Sequence, residues 1–288
     1  MASLDSGGGS EEDLMGSSSL EMACPTVLST SPPEDETEAL PLPCFPNQVA
    51  GHKGLSHEGG AIVVPEPGKL AKPVGRGYFA GEDRFYRTLS SYPALAAFCP
   101  AYFGTRSYDG RDYVVLEDLT HGMTRPLVVD MKIGTCTVAP DAPWTKRITH
   151  LNKDRATTTR SLGLRIVGAQ TAPHDRMGSG GTVRLGKSWG KSIKPGEMSE
   201  ALRTCFSADG RLCTAALSAF IPRLQELVRV LTDRPRWHLV SSSILFVFQS
   251  DEGNGTAQRT RTMFTPPRFP PLATCSPPSP LPPATGNT

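Results

Sequence analysis

Residues Pro126 to Gly134 read P-L-V-V-D-M-K-I-G, and the assignment of the chain turns on whether this stretch is a strand. Pro126 opens it, where a missing N–H is tolerated. If residues 127–134 are extended, the period of two sends Val129, Met131 and Ile133 to one face and Val128, Asp130 and Lys132 to the other. Asp130 and Lys132 then sit side by side. Taken alone, the pair is read equally well as two opposite charges on a solvated strand face, worth about 0–1 kcal/mol.

Working outward, residues 113–119 (Y-V-V-L-E-D-L) read as a buried strand just upstream, and residues 81–92 as a short helix with Phe85 and Leu89 four apart. Downstream, residues 144–161 read as mostly helical and 164–168 as extended. Residues 212–231 place Leu217, Phe220, Ile221, Leu224, Leu227, Val228 and Leu231 on one helical stripe, with a bend or break expected at Pro222. Residues 238–248 form the last strong strand. The pattern is that of a mixed α and β domain, without a repeat of 20 to 50 residues that would mark a solenoid or propeller.

The 288 residues include 30 Lys and Arg against 28 Asp and Glu. Nine of those acids fall in residues 1–46, which hold no Lys or Arg, so residues 47–288 set 30 cations against 19 acids, a net charge of +11. A basic body under an acidic tail points to an anionic ligand, whether nucleic acid, a membrane surface or a small polyphosphate. Residues 1–46 are too poor in apolar surface to offset the entropy of ordering them, and nine of the last 23 residues are proline. Both ends are expected to be disordered. The longest apolar stretch, about nine residues from Val240, falls short of the roughly 20 that span a bilayer. No secretory leader is evident, so the chain is expected in a reducing compartment. Seven scattered cysteines without a C-x-x-C pair indicate neither a disulfide framework nor a zinc site.

Residues 181–188, G-T-V-R-L-G-K-S, match the phosphate-loop pattern G-x-x-x-x-G-K-[ST]. The residues before them, A-P-H-D-R-M-G-S-G, cannot form the buried strand such a loop needs. The stretch is read as a polar loop. Gly75, Gly77 and Gly81 follow no strand and fit no dinucleotide fingerprint. The six histidines form no H-x-x-x-H, and G-x-S-x-G is absent, so hydrolase and metalloprotease readings have no support.

Residues 126–134 also fit P-x-x-x-D-x-K-x-G, and with their surroundings they resemble the inositol polyphosphate kinase family. N-Q-V-A-G-H at residues 47–52 is similar to that family's opening motif, L-A-K-P at 70–73 to its ATP-lysine strand, and L-E-D-L-T at 116–120 to its hinge. L-G-L-R-I-V-G-A-Q at 162–170 resembles the strand after its substrate helix. K-S-W-G-K-S-I at 187–193 and S-S-S-I-L-F-V-F at 241–248 resemble two later segments. The resemblance covers about residues 47–250, and its weight lies in the order of the motifs.

The resemblance implies an α+β, two-lobed kinase-like fold. Its N-lobe would span about 47–116, its hinge 117–119 and its C-lobe 120–250, between disordered tails at 1–46 and 251–288. It implies an ATP- and Mg2+-dependent enzyme that phosphorylates inositol trisphosphate to tetrakis- and pentakisphosphate by in-line transfer. Lys72 would contact the ATP phosphates, the backbones of Glu117 and Leu119 would read adenine, and Asp130 would bind the ribose hydroxyls. Lys132 would sit between the transferred phosphoryl group and the acceptor, where a cation stabilises developing charge. Lys146 and Lys153, two turns apart on one helix face, would hold substrate phosphates, with Arg147 and Arg155 close by. Only 28 residues separate Gly134 from Gly163, a compact substrate segment that resembles the multikinase branch. A monomer in nucleus and cytoplasm is expected.

The resemblance fails at the C-terminus. The family continues from its late strand to an Asp-Phe-Ala-His motif whose Asp holds magnesium, whereas this sequence has no Asp-Phe dipeptide and, after Ser243, only Asp251 and Glu252 as acids. The late strand is expected to lack a neighbour, the domain to be incomplete, and no metal ligand is assigned. Loss of about 4 kcal/mol of transition-state stabilisation would slow transfer roughly a thousandfold. A variant transcript or a mistaken gene model is the expected origin of this end. Two alternatives follow: an impaired inositol-phosphate-binding scaffold, and a nucleic-acid-binding protein, the latter disfavoured by only 7% aromatic residues and no stacking cluster.

Overall fold

A computed structural model describes residues 42–50, 61–74, 81–138, 142–172, 181–233 and 240–249, together with the backbone of 260–265. Most of the expected tails, the histidine of residues 47–52, Gly75, Gly77, Asp251 and Glu252 lie outside the described residues. The first sheet is antiparallel, with β1 (Val63–Glu66), β2 (Lys69–Pro73), β3 (Tyr102–Tyr108) and β4 (Arg111–Glu117) in the order β1-β2-β4-β3. β3 and β4 are joined by Asp109-Gly110, both at positive φ, the two-residue turn whose twist matches that of the strands. One face of this sheet buries Phe85 of α1 (Gly81–Thr88) and Leu95 of α2 (Pro93–Ala96) against Val114 and Leu116. The other buries Val63, Ala71, Tyr113 and Val115.

The second sheet is built around β5 (Pro126–Ile133). Helices α3 (Trp144–Ala156) and α4 (Thr158–Leu162) follow, then β6 (Leu164–Thr171) and β7 (Val183–Leu185). The helical stretch expected over 144–161 is broken at Thr157, whose backbone is extended and whose hydroxyl donates to the Lys153 carbonyl at 2.8 Å. Gly163 ends α4 at φ +66°, a conformation that suits glycine at a helix C-terminus. Helices α5 (Lys187–Ser192) and α6 (Met198–Cys205), the hairpin of β8 (Ser207–Ala208) and β9 (Arg211–Leu212), and α7 (Thr214–Thr232) lead to β10 (Ser243–Gln249) and β11 (Thr260–Thr265). The order is β11-β10-β5-β6-β7, antiparallel at every pairing.

Beneath this sheet Leu127 and Val129 meet Ile166, Phe246, Phe248, Phe206 just past α6 and Phe220 of α7 in one core, with ring centroids 5.1–6.0 Å apart. Four expectations need correction. Of the bend or break expected at Pro222, the break does not occur: α7 is continuous through that proline, and Ser218, whose carbonyl would have accepted the missing hydrogen bond, faces solvent as Pro222 does. Ile221 and Val228 belong to no buried stripe and are 54% and 62% exposed. Residues 181–188 are not a loop: β7 is a short edge strand and α5 starts at Lys187, with Gly190 so close to the Ile166 carbonyl that no Cβ would fit. The late strand β10 does have a neighbour, β11, inside the stretch assigned to the tail.

Candidate active site

Directly opposed residues of paired strands share a face, so register alone assembles the site. Lys132 is level with Ser243 of β10 and Arg165 of β6, Asp130 with Leu245 and Gly168, and Val128 with Val247 and Gln170. This face lies opposite the one that sends Leu127 and Val129 into the core. Its apolar end, Val128, Leu245 and Val247, packs against Leu119 of the hinge, Met123 and Val49. It turns polar at Asp130 and cationic at Lys132, and both side chains are half-buried. A bulge between Asp130 and Met131 breaks the ladder at the point where the face changes character, as bulges beside functional sites do. Among the described residues Asp130 Oδ1 is buried without a hydrogen-bond partner, a costly state that a donor would relieve.

Lys132 is held by the turn that enters β10. Its Nζ donates to the Ser241 carbonyl at 2.6 Å and to Ser243 Oγ at 2.8 Å, and Ser241 adopts φ +59° to present that carbonyl. Ser241 Oγ donates to the Thr137 carbonyl at 3.1 Å, and His150 Nδ1 approaches the same oxygen at 2.9 Å. A carbonyl only accepts, so the shorter contact places the proton on Nδ1. Lys153 Nζ lies 3.3 Å from that nitrogen. A run of hydrogen bonds thus leads from Lys132 through Ser241 and Thr137 to His150, and Lys153 lies beside that ring. Helix α3 is fixed to the same loop by Asp154, buried, which accepts from Thr137 N at 2.6 Å and Thr137 Oγ1 at 2.7 Å. Lys146, two turns before Lys153, is exposed, Arg147 is half-buried and Arg155 is exposed.

Arg165 sits directly across from Lys132, an arrangement of like charges that destabilises a sheet unless something negative intervenes. Burial lowers the Arg165 pKa, and attraction to Asp154 and Asp130 opposes this. Two cations and two carboxylates thus balance in formal charge here, with Asp154 spent on Thr137.

On the first sheet, Lys72 of β2 forms an ion pair with Glu82 of α1, Nζ lying 2.7 Å from Oε1 and 2.6 Å from Oε2. The neighbouring Asp83 ties α1 to β3, accepting from Tyr102 Oη at 2.9 Å, Thr105 Oγ1 at 2.8 Å and Arg87 Nε at 2.8 Å. Burial works to raise the Asp83 pKa, but hydrogen bonds from Thr105, Arg87 and Tyr102 outweigh it, so the carboxyl lies below its ordinary value. At the hinge, Glu117 N donates to the Ala101 carbonyl and Asp118 N to the Gly68 carbonyl, each at 2.9 Å. Leu119 lies just past the end of β4. Asp118 Oδ1 accepts from Thr120 N and Oγ1, Asn47 Nδ2 donates to Thr120 Oγ1, and Gln170 Nε2 donates to Asn47 Oδ1 and to the Pro126 carbonyl. The opening motif therefore ties the hinge to both strands of the site.

The structure thus brings Asp130, Lys132 and Lys153 into one connected region, sets Leu119 against its apolar end, and pairs Lys72 with a carboxylate. Sequence reasoning missed Glu82, Arg165, Ser241, Thr137 and His150. Glu82 had one available signal, its place in the first turn of a helix that follows the lysine strand. Among the described residues no group of three or more His, Cys, Asp or Glu is placed to hold a metal ion. No helix among them is long and apolar enough to cross a membrane.

A strand face that runs from an apolar end against the hinge to a carboxylate and a lysine, in a chain whose smaller sheet carries a lysine–glutamate pair, fits a two-lobed kinase-like class of protein. The profile of the family described as inositol polyphosphate kinase matches residues 113–264. The chain is 32% identical over 228 residues to an inositol polyphosphate multikinase of Oryza sativa subsp. indica, covering 71% of this chain and 76% of that protein. It is 30% identical over 236 residues to the inositol polyphosphate multikinase of Schizosaccharomyces pombe, covering 75% and 83%. In fold it is similar to the S. cerevisiae inositol phosphate multikinase crystallised with ADP and Mn2+, with a TM-score of 0.57, 22% identity, and coverage of 68% of this chain and 86% of that one. The chain belongs to the inositol polyphosphate kinase family.

Proposed function

We propose that this protein is an inositol polyphosphate kinase of the multikinase type, moving the γ-phosphoryl group of ATP to a hydroxyl of inositol trisphosphate and then of the tetrakisphosphate. The observation that carries the reading is the shared face of Asp130 and Lys132 and the run of hydrogen bonds from Lys132 to His150, which sets that face next to Lys153. Adenine would lie against the apolar end of that face, with main-chain groups of Glu117 and Leu119 at its edge. Asp130, whose Oδ1 lacks a donor, is suited to accept from the ribose hydroxyls. Lys72, held by Glu82, would meet the ATP phosphates as a compact point charge.

The substrate would enter beside α3, its phosphates drawn by Lys146, Lys153 and Arg165. Each phosphate monoester carries roughly −1.5 to −2 charges, so a trisphosphate needs several converging cations. In the transfer, the acceptor oxygen bonds to the γ-phosphorus as the bond to the ADP oxygen breaks, and the hydroxyl proton passes to water or a phosphate oxygen. Little general base is needed in a loose transition state. Lys132 would donate to the phosphoryl oxygens, where charge is greatest, and its contact with Ser241 and Ser243 holds it there in advance of substrate.

Magnesium is implied by the family, but the described residues do not fit a protein-held ion. Asp130 is the one acid on this face of β5, with Lys132 and Arg165 close by. That mismatch supports a second reading, in which the chain binds nucleotide and inositol phosphate but turns over slowly. Incubation with ATP, magnesium and inositol 1,4,5-trisphosphate, with products separated by charge and Lys132→Ala as control, tests both. Product made by the parent and lost by roughly a hundredfold or more in the variant supports the kinase. Tight binding without product supports the scaffold, and neither binding nor product overturns both. A monomer in nucleus and cytoplasm remains our proposal for its state and location, to be tested by light scattering and by imaging the tagged chain.

A further inference from the structure

Residues 142–165 contain six Lys and Arg and a single acid, Asp154. Asp154 is buried and its two oxygens accept from Thr137. The outside of α3 and α4 therefore presents cations without exposed carboxylates. Into this surface project Trp144, 74% exposed, and Ile148, 39% exposed. They are four residues apart, so on α3 one stacks a turn above the other. Single apolar residues at a protein surface need no explanation, but an indole and an aliphatic side chain stacked on a helix whose exposed charges are all positive do.

The pair is not part of the row assigned to substrate. At about 100° per residue, Trp144, Ile148 and Arg155 fall within an arc of roughly 40°, while Lys146 and Lys153 lie about 140–180° away from it around the helix. Two sides of α3 thus have different chemistry: one carries the substrate lysines, the other an apolar ridge beside Arg155, with exposed Arg160 and Leu162 on α4.

We propose that this outer side of α3 docks the protein reversibly on an anionic phospholipid surface. Trp144 and Ile148 would enter the bilayer at headgroup level, the depth at which an indole satisfies both its apolar body and its polar N–H. Arg155 and Arg160 would meet the negative headgroups. Attachment of this kind scales with apolar area plus attraction to anionic lipid, and both ingredients are present on one side of one helix. A nucleic acid would use the cations and could stack on Trp144, but it would have no use for an exposed isoleucine one turn away. The inference does not depend on the proposed kinase activity.

The test uses the full chain and vesicles of phosphatidylcholine with and without one-third phosphatidylserine, read by co-sedimentation. Binding is expected to the serine-containing vesicles only, and it should fall about tenfold in Trp144→Ala/Ile148→Ser. Lipids brominated along the acyl chain should quench tryptophan fluorescence in the parent and fail to do so in Trp144→Ala. Since both side chains are exposed, the thermal midpoint of the double variant should match the parent, which separates lost docking from lost folding. The proposal is overturned if no vesicle binds, if the double variant binds vesicles as the parent does, or if the substitutions weaken binding to an oligonucleotide at least as much as binding to vesicles.

Discussion

The carbonyl oxygen of Val49 rests on Gly168, so closely that a methyl group at that α-carbon would fall far inside van der Waals contact. Gly168 faces Asp130 across the sheet, so the strap of residues 47–50 crosses the site where only a residue without Cβ can lie beneath it. Gly168→Ala should displace the strap, break the Asn47 bridge between Thr120 and Gln170, and cost about 1–3 kcal/mol of stability. Urea unfolding measures this. Gly196→Ala, with nothing within 4 Å of the added atom, is the control and should leave the midpoint unchanged.

The ion pair of Lys72 and Glu82 is partly open to solvent, so its contribution to folding should be small and its contribution to nucleotide binding larger. Glu82→Gln leaves the lysine without a charged partner. An increase of about tenfold in the dissociation constant for ATP, with a thermal midpoint within a few degrees of the parent, is expected. Unchanged ATP affinity would remove Lys72 from the proposed site.

Asp83 titrates below its ordinary value in the folded chain, so the ionised carboxylate stabilises the fold at any pH above the unfolded carboxylate range near about 4. That contribution is lost as pH falls through the folded value. Asp83→Asn should lower the thermal midpoint at neutral pH, and the two midpoints should converge on acidification below about pH 4. Parallel curves for parent and variant would show that the hydrogen bonds from Tyr102, Thr105 and Arg87 carry no charge-linked stability.

Burial pushes the thiols of Cys99 and Cys205 up to about 12, so neither supplies thiolate near neutrality, whereas Cys44 and Cys136 are exposed. Since the thiolate is the nucleophile, iodoacetamide at pH 8 should modify Cys44 and Cys136 in the native protein and reach Cys99 and Cys205 only in denaturant. Peptide mass mapping reads this out.

The alternation in residues 126–134 was legible because a half-buried strand must separate its two faces, and the structure keeps Asp130 and Lys132 together for that reason. What joins them to the rest of the site was not. The contacts of Lys132 with Ser241 and of His150 with Thr137 span 109 and 13 residues, and no local pattern encodes such pairings. Pro222 does not interrupt α7, and the carbonyl it leaves unbonded belongs to an exposed residue, Ser218. The buried stripe of α7 is narrower than helical spacing alone allows, since Ile221 and Val228 fit the spacing yet face water. Asp-Gly at 109–110 and 209–210, each at positive φ, marks the turns of two hairpins and offered a turn signal that went unused. The strand β11 escaped notice because T-R-T-M-F-T is unremarkable by itself and is ordered by its partner β10.

Leu227, only 2% exposed, lies on the helix that floors the second sheet, yet its side chain is buried among Phe85, Leu95, Phe98 and Leu116 beneath the first. Close by on α7, Arg223 stacks over Phe98 and donates to the Ala97 carbonyl at 2.9 Å. Separating the sheets at this end would wet a leucine worth about 1.5–3 kcal/mol of burial. Helix α7 therefore clamps the two sheets together at this end, and a variant that shortens Leu227 would loosen that clamp.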